Sequence, residues 1–229
     1  LRNSRNVLMR SARDSKDEFE KQALTKAAKA LAINLRNVGQ ADSPASVLGL
    51  EGDAARVYFE QFNTMIKPQM RSEFEYKGRS RRPPKDAVNA LISFLYALIL
   101  NDCRSALETV GLDPQLGFFH TVRPGRPALA LDLLEEFRAV LGDRLALTLI
   151  NRGQLHLKDF EFREGGAVYL NEVGRKTVVF AYQERKKETL QHPVLEQAVE
   201  IGLLPLLQAR LLARYLRGDV ASYIPFLNK

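Results

Sequence analysis

The sequence predicts an all-α fold, on three observations. Apolar residues recur at helical spacing through most of the 229 positions. Strand-like alternation is confined to FEFREGGAVYL at 160–170, around Gly165-Gly166. Stretches rich in glycine and proline (GQADSP at 39–44, KPQMRSEFEYKGRSRRPP at 67–84, GLDP at 111–114, TVRPGRP at 121–127) cut the remainder into helix-length pieces. The expectation is a multi-helix domain with at most one small β-hairpin.

In chain order, a helix is expected from about Ser15 to Val38, rich in Ala, Lys and Leu, and Gly39 to Pro44 ends it. Helical pattern resumes near Val47 and runs to about Ile66, with Leu48, Ala55, Tyr58, Phe59 and Phe62 available to one apolar face. Lys67 to Pro84 reads as a basic surface loop. Pro83-Pro84 pre-sets φ for a core helix over about Lys85 to Thr109, stopped by GLDP. Further helices are expected at about 128–141 and 143–150. Beyond the hairpin, Asn171 can cap a helix running to about Lys187. A last long helix is expected from roughly Val194 to Arg217, ended by Gly218. The whole of 1–229 reads as a single helical domain, with a leading helix and linker at 1–44 and the core at 45–229.

Composition narrows the function classes. A chain of this length buries enough surface to need no disulfide or structural metal. The single cysteine, Cys103, excludes an intrachain disulfide framework and any zinc site built on several thiolates. The longest apolar stretch, Ala87 to Leu100, is interrupted by Asn89 and Ser93 and is too short to span a bilayer, so no membrane partner is expected. No secretory signal is visible, and a cytoplasmic, reducing setting is expected. The formal charge is +7, and it is localised. Residues 1–38 hold nine basic and four acidic side chains, residues 67–85 hold seven and two, and the remainder is therefore −3. Two basic tracts on a slightly acidic body suit a polyanion, and nucleic acid is the natural candidate.

Candidate chemistry sits in three places. In the expected helix 128–141, Ala130, Leu133, Leu134, Phe137, Val140 and Leu141 share one face, which leaves Asp132, Glu135 and Arg138 as a stripe on another. Two carboxylates and a guanidinium there can hold a hard cation beside a phosphate; they can equally form a solvated Asp–Glu–Arg ladder. Of the three histidines (His120, His156, His192), only His120 lies just upstream of a carboxylate helix. With two carboxylates, one imidazole favours Mg²⁺ or Mn²⁺ over zinc. Glu51 lies at the expected start of a helix, where the dipole alone explains an acid, and Asp53 serves that purpose equally well. No GxSxG elbow, GxxxxGK[ST] loop or GxGxxG fingerprint is present, so neither serine-nucleophile nor nucleotide-cofactor chemistry has a visible cradle.

Four stretches taken together carry a resemblance: LGLEGDAARVYF at 48–59, RSRRPPKDAVNALISFLYALIL at 79–100, GLDPQLGFFH at 111–120 and PALALDLLEEFR at 127–138. In that order they resemble the CRISPR-associated spacer-acquisition integrases, the first-numbered Cas protein family. Gln208-Ala209-Arg210, Gly218-Asp219 and Tyr223 are similar too, so the likeness covers about residues 15–226. The PP and DLLEEFR wording is closest to the type I-C branch. The resemblance implies a metal-dependent DNA endonuclease and integrase that inserts spacer DNA into a CRISPR array, part of antiviral defence. It implies Glu51, His120 and Glu135 as metal ligands and catalytic residues, with Asp132 as a supporting carboxylate and Asn89 ordering the site by hydrogen bonds. Arg123 and Arg138, with Arg79, Arg81 and Arg82 of the basic loop, would contact DNA. Implied partners are double-stranded DNA, a second copy of the chain and a small second-numbered Cas protein. In the family, a β-rich domain that makes the homodimer precedes the helical catalytic domain, and that domain is not in this sequence. Two other readings fit the residues: a metal-dependent nuclease of another lineage, or a non-catalytic helical DNA-binding scaffold.

Overall fold

A computed structural model describes residues 1–228. Its helices are α1 (Arg2–Asp14), α2 (Glu18–Val38), α3 (Pro44–Glu60), α4 (Phe62–Met65), α5 (Pro68–Arg71), α6 (Ala87–Thr109), α7 (Ala128–Leu134), α8 (Arg144–Asn151), α9 (Glu172–Lys187) and α10 (Leu204–Leu216). A π-helical turn spans Arg138–Asp143. The strands form two antiparallel pairs, β1 (Phe160–Phe162) with β2 (Val168–Leu170) and β3 (Thr189–Gln191) with β4 (Ala198–Glu200). The fold is all-α. The residues group into two compact units, one of 1–93 with 143–177 and one of 94–142 with the segment from 178 onward.

In the first unit, helix starts are set by short polar side chains. The helix expected from about Ser15 begins three residues later, at Glu18, and a further helix that was not expected precedes it. Asp17 caps α2, accepting from the Glu20 amide at 3.0 Å, and the residues before it form α1 of their own. The sequence signal for α1 is its buried stripe Asn3, Val7, Leu8 and Ala12, masked by the density of charge around it. α1 and α2 pack together and α2 packs on α3, so residues 1–44 belong to the body of this unit. Ser43 and Pro44 start α3 three residues before the expected Val47. Phe59, Phe62 and Tyr76 pack with ring centroids 5.4–6.2 Å apart. Asn151, at the end of α8, accepts from the Lys67 amide at 2.8 Å and donates to the Met65 carbonyl at 3.0 Å. The β1–β2 hairpin is where the alternation places it, with Phe160 opposite Leu170 and Gly165 and Gly166 at φ 83° and 78°. Asn171 caps α9 through the Gly174 amide at 2.9 Å.

The second unit departs from expectation at 188–203. The final helix begins at Leu204 rather than near Val194, and a second hairpin, β3–β4, takes the intervening chain. The cause is a turn built on one imidazole. His192 Nδ1 accepts from the amides of Val194 (3.3 Å) and Leu195 (3.2 Å), and the His192 amide donates to the Gln197 carbonyl at 2.8 Å. Those bonds claim the amides that would start a helix, a competition invisible to apolar periodicity. α6 has 23 residues and by length and composition could cross a membrane, unlike the shorter apolar stretch inside it. Its column Leu95, Ile99, Cys103 and Leu107 is buried, and Asp102 accepts from Tyr182 (2.7 Å) and Lys186 (2.8 Å) of α9, the arrangement of a core helix. Cys103 is packed within it, burial pushing its thiol well above the usual range.

The His192 turn makes a measurable prediction. Its Nδ1 can accept two amides only while unprotonated, and burial holds its pKa below the ordinary histidine range, opposed by the neighbouring Gln208 side chain. The unfolded chain takes up this proton near pH 6.5, where the folded chain still refuses it. The stabilisation is therefore full above about pH 6.5 and declines as pH falls toward the folded pKa. Tm should drop between pH 7.5 and pH 5.5, and the drop should shrink in His192→Gln. An equal drop in both proteins would contradict this.

Candidate active site

α7 and the loop before it build a polar site in the second unit. Asp132, on α7, accepts four hydrogen bonds through one carboxylate. Oδ2 takes the amides of Phe118 (2.6 Å) and Phe119 (3.1 Å), and Oδ1 takes the amide of His120 (3.0 Å) and meets its Nδ1 at 2.7 Å. The loop can lie this close because residue 117 is glycine. A Cβ there would stand 2.7 Å from the Ala128 Cβ and 2.9 Å from Asp132 Oδ2. A carboxylate facing Nδ1 fixes the neutral imidazole as the Nδ1–H tautomer, which leaves Nε2 as a free electron pair for a ligand. The other two histidines are occupied structurally, His192 in its turn and His156 beside Glu73 at 3.3 Å.

Three residues further on, the expected helix gives way. α7 ends at Leu134, with Glu135 as its C-cap, and a turn leads into the π-helical segment from Arg138. The break has a steric context: Gly142 lies against Tyr96, where a Cβ would stand 2.7 Å from the ring, and the Arg138 guanidinium lies 5.0 Å from that ring's centroid. Asp132, Glu135 and Arg138 therefore do not form one ladder. Asp132 turns to the 118–120 loop, while Glu135 pairs with Arg138. Equal i,i+3 spacing in the sequence gives no sign of this divergence.

Glu51 belongs to the first unit and lies two turns inside α3, because the helix starts at Pro44. The expected helix-dipole explanation for an acid there lapses, since that field fades within the first turn. The structure also separates Glu51 from Asp53. Asp53 is bonded to Asn34 of α2 at 2.9 Å and to Arg56 at 2.8 Å, both of which lower its pKa. The Glu51 carboxylate has no hydrogen bond or ion pair among the described residues. Among those residues, no group of three or more His, Cys, Asp or Glu side chains is gathered closely enough to hold a metal ion.

The basic loop divides into working parts. Asn89 is fully buried and saturated: its carbonyl accepts from Arg79 (2.7 Å) and the Ser80 amide (3.1 Å), and its amide donates to the Gly78 carbonyl (2.7 Å) and Asp86 (2.6 Å). Asp86 in turn receives the Asn89 amide at 2.7 Å and caps α6, which starts two residues after the expected Lys85. Arg79 is thereby part of the loop's framework, and it also lies 5.7 Å from the Phe59 ring centroid. Arg81 and Arg82 are exposed and form no ion pair among the described residues, and the same holds for Arg123.

The family description "CRISPR associated protein Cas1" matches residues 1–184. The chain belongs to the Cas1 family. It is 52% identical to the CRISPR-associated endonuclease Cas1 1 of Moorella thermoacetica over its whole length, covering 66% of that protein. It is 48% identical to the CRISPR-associated endonuclease Cas1 of Leptospira interrogans, covering 89% of it. The chain thus spans about two thirds of the length of several Cas1 relatives it matches. Among solved structures, a Cas1 protein from Thermotoga maritima superposes with a TM-score of 0.74 at 28% identity, over 94% of this chain and 65% of that one. A Cas6-RT-Cas1–Cas2 complex gives 0.81 at 25% identity, over 100% of this chain and 24% of that one. A casposase bound to integration product shares the fold at 0.77 and 22% identity, over 96% of this chain and 64% of that one.

Glu136 escaped the sequence reading, as did its pairing with Gln208 and Tyr223. Glu136, next to Glu135 and half-buried, receives Gln208 of α10 (2.8 Å), the Phe226 amide (2.6 Å) and the Tyr223 hydroxyl. Gln208 also reaches Tyr223 (2.9 Å) and the Ile224 carbonyl (3.2 Å), so the C-terminal segment is fastened to the residue adjoining Glu135. Burial raises the Glu136 pKa against these bonds. The available signal was a second glutamate directly after Glu135 in EEF, on the apolar side of the turn, where an unpaired acid would be expensive.

Proposed function

We propose that this chain carries the catalytic part of a metal-dependent DNA endonuclease and integrase that inserts spacer DNA into a CRISPR array by transesterification. The observation that carries this reading is the Asp132 clamp on His120, which fixes Nδ1 and leaves Nε2 to ligate. With Glu51 and Glu135 as oxygen donors, the set suits Mg²⁺ or Mn²⁺ in its donor chemistry. A divalent cation so held supplies Lewis acidity toward a phosphodiester oxygen. His120 and the two carboxylates would hold the ion, with Asp132 orienting the imidazole. Arg138 and Arg123 neutralise phosphate charge, and Arg81 and Arg82 track the duplex backbone so that a DNA 3′-hydroxyl lies in line with the bond it attacks. No protein nucleophile is required when the attacking group is that hydroxyl; water in its place gives cleavage.

The partners follow as part of the proposal: double-stranded DNA as spacer and leader–repeat, a second copy of the full-length protein, and Cas2, the small second-numbered Cas protein, which assembles with Cas1 in the complex noted above. A cytoplasmic location and the type I-C branch belong to the same reading, the latter on the PP and DLLEEFR wording. A strand-transfer gel with Mn²⁺ tests it. Joining of a free 3′ end to a target duplex is expected; cleavage without joining would favour a nuclease of another lineage, and no metal binding would favour a scaffold.

Reversing the charge of Arg81 and Arg82 together should weaken binding to all duplex sequences alike. It should also lower the slope of log affinity against log salt by up to about 2, one for each phosphate that is no longer neutralised. Arg79 is best left intact, because it holds Asn89. An unchanged slope would place the loop off the DNA.

A further inference from the structure

Gln208 and Tyr223 carry part of the sequence resemblance, yet the proposed chemistry uses neither. Both reach the residue next to Glu135, in a turn that no helix holds. Between the end of α7 at Leu134 and the π-helical segment from Arg138, the amides of Glu135, Glu136 and Phe137 donate to carbonyls three residues back, at 3.3, 3.2 and 2.9 Å. Bonds of that reach have poorer geometry than an α-helical ladder, so side-chain anchors decide which way the turn faces. Two consecutive residues supply those anchors, and both grip the C-terminal segment. Glu136 accepts from the Tyr223 hydroxyl, from Gln208 at 2.8 Å and from the Phe226 amide at 2.6 Å. Phe137, fully buried, stacks on Phe226 with ring centroids 6.0 Å apart, and Phe226 lies 5.8 Å from the His192 ring.

Fastening the chain end needs less than this. The Phe137–Phe226 stack alone would pin a segment that has no helix or strand from 222 to 228. Taking a carboxylate out of water is costly, and here three donors are spent on compensating it. What the carboxylate adds is direction, because charge-assisted bonds from three sides leave it one orientation. A turn pinned at 136 and 137 has its direction at 135 pinned as well. We infer that Tyr223 and Gln208 are positioning residues for the metal: acting through Glu136, they hold the turn so that the Glu135 carboxylate is directed at the ion. A ligand set works only when its members are held within a fraction of an ångström of the binding geometry. The inference rests on the proposed reading of Glu135 as a metal ligand and adds to it a requirement for the C-terminal segment.

The test titrates Mn²⁺ alone into the unmodified chain and three variants, read by calorimetry. Tyr223→Phe removes only the hydroxyl, and Gln208→Met keeps the length of the side chain without its amide. Ile224→Ala is the control: it trims a side chain that is 47% exposed on the same segment, where the carbonyl and not the side chain meets Gln208. The first two variants should bind Mn²⁺ about tenfold more weakly, and the control should match the parent. In strand transfer, more Mn²⁺ should restore the first two to near the parent's maximal rate, so the defect appears in the metal needed for half-maximal rate. Melting in chelator separates this from a loss of fold. If Tyr223→Phe or Gln208→Met melts lower yet binds Mn²⁺ like the parent, the segment only braces the fold and the inference is overturned. An equal loss of affinity in Ile224→Ala overturns it too. If the unmodified chain binds Mn²⁺ and either of the first two variants matches it, only this inference falls; if the unmodified chain binds no Mn²⁺, the metal reading falls with it.

Discussion

Replacing Asp132 with alanine is expected to destabilise the protein by about 2–4 kcal/mol and to reduce metal-dependent activity about tenfold to a hundredfold beyond what unfolding explains. The carboxylate accepts three backbone amides and the His120 imidazole, and its side chain is only 10% exposed. Alanine leaves all four donors without their acceptor. Asp132→Asn keeps the shape but turns an NH₂ group toward donors on one side or the other, so at least one backbone amide loses its acceptor. It should be less destabilising than alanine and still impair activity. Denaturant unfolding with unchanged m-value measures the first effect. An alanine variant as stable as the parent would show that the 116–122 loop is held by something other than Asp132.

The second large effect concerns the three ligand candidates. Glu51→Ala, His120→Ala and Glu135→Ala should each lower strand transfer by about a thousandfold or more, since each removes part of the charge stabilisation of the reacting phosphodiester. Under the proposed DNA reading, duplex affinity should change little, because arginine–phosphate contacts would carry it. Glu51→Ala should also be the least disturbing to stability, as its carboxylate makes no hydrogen bond or ion pair among the described residues. In Glu135→Ala the Arg138 guanidinium loses its carboxylate partner, so a modest fall in Tm should accompany the loss of activity. Full activity in any one variant would remove that residue from the site.

Much of this architecture is legible in the residues. Apolar spacing places α2, α3, α6 and α9, and Gly165-Gly166 places the first hairpin, because each is decided by local chemistry. Where tertiary contacts decide, spacing fails. The 194–203 stretch reads as helix until the His192 imidazole claims the amides of Val194 and Leu195. The helix expected at 128–141 ends at Leu134, followed by a π-turn where Gly142 lets Tyr96 approach. The candidate site follows the same division. His120 stands out by its place just upstream of a carboxylate helix, but its fixed tautomer depends on a carboxylate twelve residues away that receives the loop's amides. Glu51 and Asp53 are indistinguishable by position, and only Asn34 and Arg56 show that Asp53 is the structural one. Glu136, Gln208 and Tyr223 lie 72–87 residues apart in their hydrogen-bonded pairs with Glu136, beyond the reach of any local pattern.

Crystals grown with Mn²⁺ and measured at the manganese absorption edge give the most direct test. An anomalous peak bonded to His120 Nε2 and to the carboxylates of Glu51 and Glu135 is the expected result. A peak bound elsewhere, or a metal-saturated chain in which these three side chains point to separate surfaces, would contradict the shared-ion account.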